Sequence, residues 1–436
     1  MAIEALTALL FLGVLGVFAA GMPVAFGLGA VAMGLATVTW GPQAYKLIAT
    51  STLNAATNFI LLSIPLFLFM GQILVRSGLG DAMFNAAYVL AGRLRGGLAL
   101  GVIAVCSLIG AMVGIIGAGI MTAGTLALPP MLKRGYDRRL ALGVIMAAGS
   151  LGMLIPPSVP MIIFGAATGT SIGKLFAGAL VPALLLIAAF SVYVIVLCHA
   201  RPDAGPPIEI RPTPRERLLA LRDGGFAFML ILVVLGSILG GLATPTEAGA
   251  IGGLGAMAIA AIYGRLSLPV LRDASFDAAQ LGAVIAWILI GAAVFSNFHL
   301  LMGAGRMLNR LTVGSGLPPF AVILMMQASM LLLGLVIDEM IIVILCAPLF
   351  TPIAMALGYD PVWFGILMIL NMGIAVQTPP YGFALFYLKA AAPPGVRMSE
   401  IYRSVGPFVA MKLAVLLLVM AVPGTVTYLP RLLFGA

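Results

Sequence analysis

From Leu140 to Gly173 the chain runs 34 residues without a charged side chain. Similar uncharged runs extend from Ala5 to Tyr45, from Gly96 to Leu132 and from Pro361 to Leu388. Each exceeds the roughly 20 apolar residues that a helix needs to cross about 30 Å of hydrocarbon. Inside a bilayer the backbone must satisfy its own N–H and C=O groups, which leaves helices and closed barrels as the spanning structures. The runs are continuous rather than alternating, so helices are expected. With 62% of its residues hydrophobic and 8% charged, the chain is far from a soluble composition. It reads as an all-α integral membrane protein in the lipid bilayer of an inner rather than an outer membrane. The first run has no basic segment before it and no small-residue cleavage site, and it is too long for a secretion signal. It is expected to remain as a helix pair.

The formal net charge of +9 does not point to nucleic acid, because the lysines and arginines lie in short connections between apolar runs, where they set orientation. Cys106, Cys198 and Cys346 stand alone in apolar segments, which argues against a disulfide framework or a zinc site. His199 and His299 are equally isolated. The stretch "GIIGAG" lacks the strand before it and the Lys-Ser/Thr after it that a phosphate loop needs. There is no His-Glu-x-x-His helix. An enzyme is not expected, nor a transition metal or an organic cofactor.

Laid on itself, the chain repeats. "LPPMLKRGYDRRLALGVIMAAGSLGMLIPPS" (128–158) pairs without a gap with "TPIAMALGYDPVWFGILMILNMGIAVQTPPY" (351–381), an offset of 223 residues, and shares with it a proline, Gly-Tyr-Asp and Pro-Pro. "GMPVAFGLGAVAMG" (21–34) resembles "ATPTEAGAIGGLGA" (243–256) at an offset of 222. The Pro- and Arg-rich stretch 199–223 separates the halves and is expected to be a cytoplasmic linker. The first repeat is then 1–198, with scaffold helices over about 1–95 and a hairpin plus broken helix over about 96–182. The second is 224–436, with scaffold helices over about 224–305 and a hairpin plus broken helix over about 318–404.

The run from Gly96 to Leu132 has basic residues at both ends, Arg93 and Arg95 before it and Lys133, Arg134, Arg138 and Arg139 after it. Both ends therefore face the cytoplasm. Two full spans or one re-entrant hairpin satisfy that, and the glycine-rich centre "GAMVGIIGAGIMTAG" (110–124) favours the hairpin, since glycine permits a tight reversal. With five spans and one hairpin per half, the second half is inverted. Its hairpin, around "LLGLVIDEMIIVILCAPL" (332–349), enters from the other side.

Inverted repeats with interrupted helices mark secondary transporters, whose sites lie where the breaks converge. Pro156-Pro157 and Pro379-Pro380 supply the breaks. Proline removes a helix hydrogen bond and disfavours helical geometry before it, freeing carbonyls for a cation. The half-helix that follows starts with unpaired N–H groups, which suit an anion. Small and polar residues gather there: Gly149, Ser150, Gly152 and Ser158 at the first break, Asn371, Gly373, Gln377, Thr378 and Tyr381 at the second. Asp338 and Glu339 are an adjacent acidic pair inside an apolar segment, where a carboxylate is costly enough to suggest a functional cation or proton.

The stretches "SIPLFLFMGQILVRSGL", "LPPMLKRGYD", "GMLIPPSVPMIIFGAATGTSIGKLFAGALVP", "ATPTEAGAIG" and "LNMGIAVQTPPYGFALFYLKAAAP" together resemble the large membrane subunit of tripartite ATP-independent periplasmic (TRAP) transporters, the DctM-like family. The resemblance covers nearly the whole chain. It implies an elevator-type, sodium-driven carrier in a bacterial inner membrane, a small DctQ-like membrane subunit and a periplasmic DctP-like substrate-binding protein. It also implies one sodium site joining the first hairpin tip (Gly114, Gly117) to Ser150, Gly152, Leu154 and Pro157. A second would join Asp338 to Gly373, Ala375, Gln377 and Pro380. Solute would lie between them, near Ser158, Asn371, Thr378 and Tyr381. Many members carry a Gly-Ser-x-x-Ala-Asp first tip where this chain has "GIIGAGIMTAG", so Thr122 and Thr125 are its nearest hydroxyls and are expected to join the solute-binding residues. The expected function is sodium-coupled import of a small carboxylate or sulfonate. A self-sufficient divalent-anion symporter of similar fold, and less favourably a passive channel, are the alternatives.

Overall fold

The computed structural model describes residues 3–92, 94–114, 116–207, 213–303, 316–335, 337–379 and 382–435. These form helices and turns, with no strand among the described residues. Seven helical stretches among them are long and apolar enough to cross a membrane.

The chain opens with α1 (Ile3–Ala19), α2 (Val24–Trp40) and α3 (Gln43–Ala56). A 3-10 turn, Phe59–Leu62, leads into α4 (Ser63–Arg76). That turn is started by Asn58, whose side chain accepts the Ile60 N–H at 3.1 Å. α5 (Leu79–Ala91) follows. Then α6 (Gly97–Val113) reverses at Gly114, whose φ of +68° only glycine adopts cheaply, into α7 (Ile116–Leu126). At 1.5 Å per residue the 11-residue α7 covers about 16 Å, too short to cross the bilayer. The run from Gly96 to Leu132 therefore folds as two helices joined by a reversal, the second continued after one turn residue by α8 (Leu128–Lys133).

Asp137 starts α9 (Arg138–Gly149), its carboxylate accepting the Leu140 N–H at 3.0 Å. α9 ends in the 3-10 turn Ser150–Met153, the two prolines interrupt the chain, and α10 (Val159–Thr168) resumes it. α11 (Ile172–Ala200) closes the first half. The second half holds α12 (Pro214–Leu239), α13 (Pro245–Ile262) and α14 (Leu268–Leu301). After these come α15 (Pro319–Gly334) and α16 (Glu339–Ala356), then α17 (Pro361–Ala375), α18 (Phe383–Ala391), α19 (Met398–Ala421) and α20 (Gly424–Phe434).

Three expected boundaries move. The polar stretch 199–223 is not all linker: Thr213 and Glu216 form a reciprocal cap that starts α12 at Pro214, so its last ten residues are helix. The expected hairpin and broken-helix segments end near 182 and 404, whereas α11 and α19 run unbroken through both positions. α19 packs along α9 and α17, and α11 packs chiefly on α20.

The helices pack as two neighbouring sets, joined where α6 rests on α5 and α4. In one, α4 lies on α13, with Leu66, Phe69 and Met70 resting on Gly249, Gly252 and Gly253. α2 and α3 pack on α14, and α5 packs on α12. In the other, the hairpin α6–α7 grips α9, α15 and α16 pack on α17, and α19 runs beside both α9 and α17. The second group positions the site.

Candidate functional site

α19 is the ruler against which the two broken helices are read. The start of α9 lies at the start of α19, where Arg138 pairs with Glu400 at 3.6 Å. The start of α17 lies at the other end, where Trp363 Nε1 donates to the Val419 carbonyl at 2.9 Å. α9 and α17 therefore approach from opposite ends of α19, and their C-termini meet at its middle. There Met153 covers Gly373, and Gln377 Nε2 donates to the Met146 carbonyl at 2.5 Å.

Lys412 occupies that meeting point. Its ammonium donates to Ser150 Oγ at 2.6 Å, to the Gly373 carbonyl at 2.9 Å and to Gln377 Oε1 at 2.6 Å. The side chain is buried. Three residues expected to face a sodium ion thus face a lysine, which the sequence reading overlooked. The signal was present: between Arg403 and Arg431, Lys412 is the only charged residue in an apolar stretch.

The first break is sealed. Pro156, Pro157 and Ser158 are buried, and the Ser158 hydroxyl donates back across the break to the Met153 carbonyl at 2.5 Å. The hairpin closes on it without side chains in the way. A methyl on Gly114 would lie 3.1 Å from the Pro157 carbonyl oxygen, one on Gly110 2.6 Å from the Gly152 Cα, and one on Gly119 2.9 Å from the Gly149 carbonyl oxygen. Gly114 meets Pro157 here, and Gly152 meets Gly110 one turn back on the same arm of the hairpin. Gly117 does not join them; it lies under the Tyr387 ring of α18.

The second break is more open, with Thr378 half-buried and Pro379 exposed. Gly334, at the end of α15, packs directly on Ala375, so the second hairpin also closes on its break. Asp338 starts α16, its carboxylate accepting the Met340 N–H at 2.9 Å, and Glu339 beside it is buried. The Thr378 hydroxyl donates to the Ile374 carbonyl at 2.7 Å. Asn371 turns away from the break: its Nδ2 donates to the Gln327 carbonyl at 2.6 Å and to Gln327 Oε1 at 2.8 Å. Pro380 and Tyr381 lie outside the described residues.

Thr122 and Thr125 are held apart from both breaks. They line a cavity of about 310 Å³ between α7 and the α4–α5 turn, with Val75 and Asp81 across it. On the basic face, the stretch after α11 is sewn to the hairpin and to α9. Gly96 N–H donates to the Gly205 carbonyl at 2.9 Å and Asp137 N–H to the Ala204 carbonyl at 3.0 Å. The buried Tyr136 hydroxyl accepts the Leu98 N–H at 3.3 Å, and burial pushes its phenol up to about 12.

A family model described as "Tripartite ATP-independent periplasmic transporter, DctM component" matches residues 11–425. The chain is 31% identical to the C4-dicarboxylate TRAP transporter large permease protein DctM of Vibrio cholerae, covering 98% of both. It is 30% identical to the sialic acid TRAP transporter large permease protein SiaM of the same organism, over 97% of this chain and 98% of that one. It is also 31% identical to the isethionate TRAP transporter permease protein DctMQ of Oleidesulfovibrio alaskensis, over 92% of this chain and 63% of that one. Among solved structures, the Alcanivorax borkumensis YdaH transporter superposes with a TM-score of 0.63 at 16% identity, covering 87% of this chain and 89% of that one.

Proposed function

This chain belongs to the DctM family of TRAP transporter large permeases, and from that premise we propose that it imports a small organic anion by sodium symport with an elevator-like movement. As a large permease of the inner membrane it works beside a small DctQ-like subunit and a periplasmic DctP-like binding protein that delivers the solute. The name DctMQ, borne by a longer relative, fits a close pairing of the first two.

One observation carries the reading: two helices broken at prolines enter from opposite ends of α19 and meet in its middle. Such an arrangement supports an inverted repeat with the ligand sites at its centre. The sodium positions we favour are the hairpin-covered breaks. One is built from Gly114, Gly152, Leu154 and Pro157, the other from Asp338 and Ala375. Thr378, half-buried beside the second break, is the hydroxyl best placed for solute, and a carboxylate or sulfonate is the class suggested by the relatives. The second helix group, with α6, α7, α9, α10 and α15–α19, would slide against the first.

Proteoliposomes holding all three components provide the test. A sodium gradient is expected to drive uptake of a carboxylate or sulfonate presented by the binding protein. Uptake that proceeds equally without sodium would sink the coupling, and uptake without the binding protein would point to a self-sufficient carrier.

A further inference from the structure

The permease reading does not use Lys412, yet this side chain sits at its geometric centre. The three ammonium hydrogens match three oxygens, Ser150 Oγ, the Gly373 carbonyl and Gln377 Oε1. Among the described residues no carboxylate pairs with it. Its charge is compensated by neutral oxygens and by the C-terminal, negative ends of α9 and α17, which both stop at this point. Gln377 cannot turn away easily, since its Nε2 is bonded to the Met146 carbonyl. Uncharged oxygens and helix C-termini from two broken helices are the ingredients of a monovalent cation site in a membrane carrier.

A second cation has nothing left to bind there, because the ammonium already engages all three oxygens and would repel a like charge a few ångströms away in a poorly screened interior. Occupation by Lys412 and by a dissolved cation are therefore exclusive.

We propose that Lys412 is a tethered cation: its ammonium fills the cation position made where the two broken helices meet, and no exchangeable ion binds there while it is in place. The proposal rests on reading the breaks as ion-binding elements. It adds that one such position is filled by the protein, leaving the hairpin-covered positions for exchangeable sodium. Replacing Lys412 by a short neutral residue would leave the same oxygens to a sodium ion.

The test counts sodium bound per chain at saturation, using radioactive sodium on the full-length protein in lipid nanodiscs. Thermal unfolding is followed in sodium chloride and in choline chloride of equal ionic strength. Lys412→Ala is expected to bind one more sodium than the unaltered chain and to gain more stability from sodium than the unaltered chain does. Lys412→Arg, which keeps the charge, is expected to keep the unaltered count. Equal counts in Lys412→Ala and the unaltered chain overturn the proposal, as does a stability loss that sodium leaves untouched. If the alanine variant does not fold in either salt, crystals of the unaltered chain grown with thallium(I) decide. An anomalous peak inside the oxygen cage overturns the proposal, and peaks confined to other positions uphold it. An unaltered chain that binds no sodium, beside a variant that binds one, upholds the tethered cation and overturns sodium coupling.

Discussion

Gly110 and Gly152 meet backbone to backbone, so that a methyl group on either would intrude on the other: 2.6 Å from the Gly152 Cα in one case and 2.8 Å from the Gly110 Cα in the other. The first hairpin can grip the first break only because both residues lack a Cβ. Gly110→Ala is expected to cost about 1–3 kcal/mol through overpacking, read as a lowered unfolding temperature, and to abolish uptake. Gly236→Ala, at a helical glycine with open space around it, is the control. It should be neutral or stabilising by up to about 1 kcal/mol.

Tyr136 gives a pH signature on the basic face. Its phenol titrates near 12 in the folded protein, raised by burial, against an ordinary value near 10. A raised value means that the stability tied to the neutral phenol is complete below about pH 10 and is lost as pH rises toward 12. Tyr136→Phe should therefore unfold at a lower temperature than the unaltered chain at pH 8, because the Leu98 N–H loses its acceptor. The gap should narrow between pH 10 and 12. A constant gap would show that the phenol does not titrate with folding.

Ser158 and Thr378 should separate stability from binding. The buried Ser158 hydroxyl closes the first break onto the Met153 carbonyl, so Ser158→Ala leaves that carbonyl unpaired at a cost of about 1–3 kcal/mol. Thr378 is half-buried at the open break and its hydroxyl donates to the Ile374 carbonyl in the last turn of α17. Thr378→Val should leave the unfolding temperature nearly unchanged and raise the solute concentration needed for half-maximal uptake. The reverse pattern would move the solute position to the first break.

The breaks and the first hairpin were legible in the sequence because their causes are local: paired prolines, uncharged runs and a glycine at the reversal. Lys412 was legible only as a lone charge in an apolar stretch, not as part of the site, because its three partners lie 262, 39 and 35 residues away in the chain. Thr122 and Thr125 lie away from the breaks for the opposite reason. They are close to the hairpin tip in sequence, but they share with Met121 the stripe of α7 that faces α4 and α5, while Gly119 and Ile120 face α9. Distance along a helix does not reveal which side a residue takes. Asn371 was legible as a polar residue in an apolar helix, but its partner Gln327 on α15 is set by tertiary packing.

The cavity between α7 and α4 offers a test of sliding. Val75 and Thr125 are exposed on its opposite walls, one in each helix group. The three native cysteines are buried and should react slowly. A Val75→Cys, Thr125→Cys pair joined by a short bifunctional thiol reagent is expected to stop uptake, while either single variant treated alike keeps it. Full cross-linking with uptake intact would rule out relative movement of the two groups at this seam.

Asp338 is where charge and helix capping can be told apart. Its carboxylate starts α16 by accepting the Met340 N–H, a role that asparagine fills about as well as aspartate and alanine fills at a loss of about 1 kcal/mol. If capping were its whole function, Asp338→Asn would resemble the unaltered chain, and only Asp338→Ala would be impaired. A carboxylate facing a coupling ion predicts otherwise, because removing the charge removes the main attraction for the cation even with the cap intact. We expect Asp338→Asn to unfold within about 0.5 kcal/mol of the unaltered chain, as cap-preserving changes do. Its half-saturating sodium concentration for uptake should rise at least about tenfold, a difference of roughly 1.4 kcal/mol in sodium binding. An unchanged sodium dependence in that variant would return Asp338 to the cap alone and leave the second sodium position to backbone carbonyls at Ala375 and its neighbours.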